Sequence, residues 1–352
     1  MHRILYIKPT ETCNLNCSHC FTSGSNGSKV FFDEIKTADW LYRLVKFEPH
    51  VSHIHIEFHG GEPLFNHKTI QKMKTFREII LEQVPTKSIS WGVTTNLTYN
   101  LTAERVDFLS NHVESIGTSW DNQIRWPTPQ LYQLWEENVQ KVKSLNKPIT
   151  LFVSLSRPII KSDPSEILKM ATRLGFEEID FERITTDGNA QKNPEIFPTN
   201  KELDEWYVSL YEVYQKNFYN KIKIRNIDNL VDFFKYRSRA GTHCRDCEQK
   251  IFTVNATGTI GGCPNTAPTQ HYGHIDMEMA QLFSRPERSC RIAKEIIRPK
   301  ECLTCEVSHA CGGGCHLLEW DEHCPGPKSL LKKLNNQFKE QSKQNITQLA
   351  GA

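Results

Sequence analysis

No apolar run in the chain approaches the ~20 residues of a membrane-crossing helix, so a helical spanning protein is excluded. The opening decapeptide, Met1-His2-Arg3-Ile4-Leu5-Tyr6-Ile7-Lys8-Pro9-Thr10, lacks the length and apolar core of a secretory signal. An excess of either charge is missing too. With 43 Lys and Arg against 41 Asp and Glu, composition gives no pull toward nucleic acid or an anionic membrane. A cytoplasmic protein is expected. The 352 residues suffice for one large domain and a smaller one.

The most informative absence is internal. None of the 12 cysteines lies between Cys20 and Cys244: three crowd the first 20 residues, and nine fall between 244 and 324. In a reducing compartment such residues argue for metal binding or catalysis rather than a disulfide framework. Two cysteine territories imply two modules, drawn at 1–235 and 240–330, with 331–352 as a terminal helix and tail.

The first territory reads Cys13-Asn14-Leu15-Asn16-Cys17-Ser18-His19-Cys20. Its C-x3-C-x2-C spacing offers three thiolates to one centre and no fourth. Closed structural zinc sites take four ligands, whereas a [4Fe–4S] cluster held by three cysteines keeps one iron open to a small molecule.

Up to about residue 185, short β-rich runs alternate with amphipathic stretches. Strands are expected at Ile4–Lys8, His53–Phe58, Ile89–Thr94, Glu114–Thr118, Ile149–Ser154 and Glu178–Arg183. Helices are expected near Asp33–Phe47, Lys68–Gln83, Ala103–Asn111, Gln130–Leu145 and Ser165–Leu174. This is the pattern of βαβ units with a parallel sheet, and six units fit a partial barrel better than a short doubly wound sheet. Barrels of this kind carry chemistry on the loops after their strands. The cysteine loop follows the first strand, and His59-Gly60-Gly61-Glu62-Pro63 follows the second. Asn193 to Thr199 reads as a linker, Lys201 to Lys216 as a core helix, and Lys328 to Ala352 as a helix followed by disorder.

The cysteine loop resembles the signature of the radical S-adenosylmethionine (SAM) superfamily, and Gly60-Gly61-Glu62-Pro63 resembles the motif with which that family holds the methionine amino group. The resemblance implies a partial (β/α)6 barrel of TIM type. It also implies a cluster on Cys13, Cys17 and Cys20 whose free iron chelates SAM, and reductive cleavage to a 5′-deoxyadenosyl radical. By motif position Glu62 would meet the SAM ammonium, with Gly60, Gly61 and Pro63 beside it. Thr94-Thr95-Asn96 resembles the family's Thr-Asn-Gly with Leu97 in place of glycine, which makes Asn96 a SAM contact. Thr118-Ser119-Trp120-Asp121 resembles Ser-Leu-Asp-Gly, adding Ser119 and Asp121. Arg125 stands nearest to the family's arginine. His19 occupies the position of an aromatic beside the adenine. Glu182 and Arg183, at the end of the sixth strand, either pair with each other or face the cavity.

The second territory, Cys244-x2-Cys247, Cys263, then Cys302-x2-Cys305-x5-Cys311-x3-Cys315-x8-Cys324, resembles the SPASM extension shared by peptide-modifying and anaerobic sulfatase-maturing enzymes. Carried over by motif position, Cys244, Cys247, Cys263 and Cys315 would hold one auxiliary [4Fe–4S] cluster. Cys302, Cys305, Cys311 and Cys324 would hold another, making three clusters in all. Paired zinc ribbons are the competing reading for these cysteines. Cys290 is left over as a structural thiol or a hydrogen-atom donor.

The expected function is a radical SAM/SPASM maturase that installs an oxidative crosslink, a carbon–carbon cyclophane or a thioether, in a ribosomally made peptide. Its partners would be a peptide or protein substrate, a flavodoxin or ferredoxin as electron donor, and a separate leader-peptide-binding protein, since Cys13 leaves no room before it for such a domain. No nucleic-acid or membrane partner is expected. A sulfatase-maturing enzyme is the alternative. It is weakened because Pro264 and Asn265 stand where those relatives carry an aspartate base. A zinc-stabilised binding module without catalysis is the alternative from another class.

Overall fold

The computed structural model describes residues 2–121, 124–236 and 247–350. Six strands come first: β1 (His2–Ile7), β2 (His53–Phe58), β3 (Ser88–Thr95), β4 (Ser115–Ser119), β5 (Ile149–Ser154) and β6 (Glu178–Glu182). Helices Glu34–Phe47, His67–Gln83, Ala103–Asn111, Pro129–Lys143 and Pro164–Arg173 connect them, so the expected elements are met to within one or two residues. Neighbouring strands pair in parallel in chain order, as a partial barrel requires.

Local chemistry sets the helix starts. Asp33, Asn66 and Thr102 each accept a hydrogen bond from the backbone three residues on, and Thr199 with Glu202 forms a capping box ahead of helix Asn200–Asn217. Alternation in the strands sets the layers. Leu5 and Ile7, Ile54, Ile56 and Phe58, Leu151 and Val153, and Ile179 and Phe181 are buried in the main core. The alternate positions are polar and meet across the strands: His55 Nδ1 lies 2.9 Å from Ser90 Oγ, and Thr94 Oγ1 donates to Glu57 Oε1 at 2.7 Å. The inner face is therefore a hydrogen-bonded lumen, open to a polar ligand at its C-terminal mouth.

After β6 the chain adds β7 (Lys223–Ile224) to that edge and helix Arg225–Tyr236. Cys244 lies outside the described residues. The next strand, β8 (Ile251–Val254), pairs in parallel with β1, and a hairpin of β9 (Thr259–Gly261) and β10 (Gly273–His274) extends from it. One ten-stranded sheet thus runs across the expected module boundary. Helix Lys328–Ala350 returns to the barrel side: Leu330, Leu331 and Leu334 are buried, and Tyr211 donates its hydroxyl hydrogen to Gln337 Oε1 at 3.0 Å. The helix continues through residues expected to be a disordered tail. No described helix is long and apolar enough to cross a membrane.

Candidate functional site

The C-terminal ends of β1 to β6 converge on one chamber. Cys13, Cys17 and Cys20 face it from the loop after β1, opposite Gly60 and Gly61 after β2, Asn96 after β3 and Ser119 at the end of β4. His19 and Arg125 complete the wall.

The cysteine loop is held by backbone and amide contacts more than by its thiols. Gly61 N donates to Thr10 O at 2.9 Å and Glu62 N to Thr12 O at 3.0 Å, laying the second loop along the first. This demands a glycine at 60: its φ is +120°, and a Cβ there would come 2.6 Å from Thr10 O. From the other side, Asn189 N donates to Cys20 O at 2.8 Å, and Asn189 Nδ2 reaches Asn16 Oδ1 at 2.9 Å and Cys17 O at 3.2 Å. Burial pushes the Cys13 thiol up to about 12 and the Cys17 thiol up to about 11. As bare thiols they stay protonated at neutral pH, and coordination to a positive centre is what would hold them as thiolates.

Glu62 and Pro63 are buried behind the chamber wall rather than on it. The Glu62 carboxyl accepts from Thr95 Oγ1 at 2.7 Å, Asn96 N at 2.7 Å and Leu64 N at 3.0 Å. Burial raises it to about 6 while those three donors pull it down. Glu62 therefore pins the end of β3 against the second loop, and it places Asn96, whose Nδ2 lies 2.8 Å from Asn14 Oδ1 and 3.5 Å from Cys13 Sγ. Glu62→Ala strands two buried amide N–H groups at ~1–3 kcal/mol each, a loss to be read by denaturant unfolding.

Asp121 is likewise off the wall and fully buried. Its Oδ2 accepts from Arg125 Nε at 2.8 Å and Nη2 at 2.5 Å, its Oδ1 accepts from Ser154 N at 2.6 Å, and His19 Nε2 lies 3.3 Å away. Burial alone would raise its carboxyl, but Arg125 and His19 hold it well below the usual carboxylate range. Asp121 therefore orients Arg125 and His19, and those two side chains reach the chamber.

Some chamber residues carry little sequence signal. His59 is part-buried on the chamber wall, and desolvation with Lys8 and Arg125 nearby takes its imidazole down to about 3. It is neutral, with Nδ1 accepting from Gly60 N at 2.7 Å, which leaves the ring hydrogen on Nε2. Glu182 and Arg183 both face the chamber and form no ion pair with each other. A carboxylate at the end of a strand followed by arginine was the available signal for them.

The second territory falls into two neighbourhoods. Cys263 and Cys315 line a cavity adjoining the chamber, and the nearby Cys315 adds to the burial that raises the Cys263 thiol. Burial, then Glu57 and Glu182, raises the Tyr6 phenol, and Cys263 and Cys247 both add to the shift. Separately, burial and then Cys311, Cys305 and Cys324 raise the Cys302 thiol against Arg298, and burial with Cys311 raises the Cys324 thiol. Gly312, Gly313 and Gly314 have φ of +79°, +98° and +76°, a left-handed run between Cys311 of one neighbourhood and Cys315 of the other. Cys290 is exposed and belongs to neither.

No three His, Cys, Asp or Glu among the described residues surround a single metal ion. The fit to iron–sulfur clusters rests on the donor set: three thiols of one loop on one chamber, and two further groups of thiols beyond it.

Residues 3–133 match the family described as a 4Fe-4S single cluster domain. An uncharacterised protein of Methanocaldococcus jannaschii is 27% identical over 311 residues, spanning 84% of this chain and 96% of its own length. Native anSMEcpe with bound AdoMet and Cp18Cys peptide superposes with a TM-score of 0.77 at 19% identity, over 99% of this chain and 100% of that one. Streptococcus suis SuiB bound to precursor peptide SuiA gives 0.56 at 14% identity, over 90% and 72% of the two chains. Strand order and whole-chain likeness agree: the chain shares the fold of these solved structures, and its N-terminal part matches a 4Fe-4S single cluster domain.

Proposed function

We propose that this chain is a peptide-modifying radical SAM enzyme that removes two hydrogens from a ribosomally made peptide. The oxidative crosslink it leaves would be a carbon–carbon cyclophane in preference to a thioether. The observation that carries the reading is the placement of Cys13, Cys17 and Cys20 on a chamber that adjoins a second cavity containing Cys263 and Cys315. The solved relatives named above were captured with AdoMet and a Cys-containing peptide in one case and with a precursor peptide in the other, which supports a peptide substrate. A cluster on the three N-terminal thiols, with SAM at its open iron, would supply a 5′-deoxyadenosyl radical.

This chain's residues supply the rest. Asn96 and Ser119 offer polar contacts at the ends of β3 and β4, and Arg125, oriented by Asp121, offers a fixed cation. Auxiliary clusters on the second territory, Cys244 among the ligands, would take up the remaining electron. Flavodoxin or ferredoxin would deliver the priming electron, and a separate protein would present the leader peptide. Formylglycine formation is the second reading. Against it stands the loop after Cys263, where Pro264 and Asn265 supply no carboxylate and their carbonyls accept from Lys8 Nζ and Thr185 Oγ1.

The test is anaerobic incubation of the reconstituted protein with SAM, reduced flavodoxin and a small-peptide extract from source cells lacking the gene. Formation of 5′-deoxyadenosine together with a peptide lighter by two hydrogens is expected, with tandem mass spectrometry placing the new bond between two residues. An unchanged extract overturns the reading, and a change confined to a sulfatase cysteine or serine selects the second one.

A further inference from the structure

The chamber at the cysteine loop does not end at β6. Beyond it lies a more apolar cavity walled by Tyr207, Ile227, Leu230 and Leu317, reaching Cys263 and Cys315. Four residues face both spaces: Glu182, Arg183, Thr185 and Asn265. Thr185 and Asn265 are tied together, the hydroxyl donating to the Asn265 carbonyl at 2.6 Å. Of the other two, Arg183 sets its guanidinium over the Tyr207 ring, 5.8 Å from the centroid. Arg183 Nη1 is buried with no hydrogen-bond partner. Among the described residues, the Glu182 carboxyl makes no hydrogen bond or ion pair, while its backbone carbonyl accepts from Leu155 N at 2.7 Å.

Removing two hydrogens from a substrate, one of them as an atom, leaves a proton and an electron to be placed. Pro264 and Asn265, directly after Cys263, have no side chain that can take a proton. The passage between the two spaces has a single carboxylate. We propose that Glu182 accepts the substrate's proton, and that the apolar cavity takes the reacting side chain, one with an aromatic or other apolar body.

The inference rests on the reading under Proposed function. In balanced form, one substrate C–H bond breaks and its hydrogen atom goes to the 5′-deoxyadenosyl radical. The new substrate bond forms as a second hydrogen leaves as a proton to a Glu182 carboxylate oxygen. The remaining electron would go to an oxidised iron–sulfur cluster that the cysteines of the second territory would hold.

The surroundings suit this role. The groups acting on Glu182 are Tyr6 from β1, Glu57 from β2, Asp121 after β4, Asp180 on β6 and Arg225 at the start of the following helix. Burial first, then Asp180 and Asp121, raises the carboxyl to about 8 against the opposing Arg225. A base is most useful with a pKa near the working pH. Its active form is the carboxylate, so turnover should climb as pH rises through about 8.

Glu182→Gln and Glu182→Asp holoenzymes test it, with SAM, reduced flavodoxin and the peptide extract as probe. Wild type should show an acid limb near pH 8. Glu182→Gln should keep making 5′-deoxyadenosine but lose the limb and roughly 100-fold of the lighter peptide formed per 5′-deoxyadenosine. Glu182→Asp should keep the limb at a shifted position, and it remains the test if the glutamine variant does not fold. Independently of turnover, infrared difference spectra of resting wild type against Glu182→Gln should contain a protonated-carboxyl band that fades through about pH 8. A variant with an unchanged product ratio, or a band that fades at ordinary carboxylate pH, overturns the role of Glu182. Absence of both 5′-deoxyadenosine and lighter peptide in wild type overturns the underlying enzyme reading instead.

Discussion

Replacing Cys13, Cys17 and Cys20 together by alanine is expected to abolish SAM cleavage while leaving about two-thirds of the iron, if three like clusters are bound. The expectation depends on the loop keeping its shape without its thiols, and its contacts say that it does. The bonds from Gly61 to Thr10, from Glu62 to Thr12 and from Asn189 to Asn16, Cys17 and Cys20 all end on backbone or amide groups that the substitutions leave in place. Leu15, which is buried, stays as an apolar anchor. The thiols themselves make only peripheral contacts, such as Leu15 N to Cys13 Sγ at 3.3 Å and Cys20 Sγ to Thr22 Oγ1 at 3.1 Å. Iron per chain and 5′-deoxyadenosine by chromatography provide the two readings. Loss of all iron would mean that the second territory holds none by itself, and the assignment of its cysteines would fall.

The six strands and their helices were legible because each rests on a local rule. Alternation places Ile54, Ile56 and Phe58 on the helix side of β2 and His55 and Glu57 in the lumen, and caps such as Asp33 and Asn66 mark where helices begin. The return of Ile251–Val254 to pair with Ile4–Ile7 was not legible. A four-residue run, Ile-Phe-Thr-Val, carries no record of a partner so far away along the chain. The same limit explains Glu62. Its motif marks a ligand position, but the direction of the carboxylate is set by amides of Asn96 and Leu64 whose positions depend on how β3 ends. Arg125 was visible only as the residue nearest to the family's arginine, and its pairing with Asp121 came from the structure. That the pair also carries Ser154 N and His19 required the tertiary structure.

That pair gives the other large expected effect. Asp121→Ala would leave the largely buried Arg125 guanidinium without its carboxylate and the Ser154 N–H without its acceptor. Removing one partner of a buried ion pair costs ~3–5 kcal/mol. In thermal unfolding that is a fall on the order of 5–10 °C. Asp121→Asn, which can still accept from Ser154, should lose less. The wall of the chamber should fail with it, since His19 and Arg125 would no longer be oriented, so the KM for SAM should rise in both variants. The pH dependence separates the ion pair from simple packing loss. The folded-state pKa of Asp121 is depressed, so its contribution is present above the unfolded value of ~3.9 and is lost as pH falls below it. The stability gap between wild type and Asp121→Ala should therefore be constant near neutrality and close in acid. A gap that stayed constant into acid would mean that Asp121 acts as packing alone and that Arg125 is oriented by other groups.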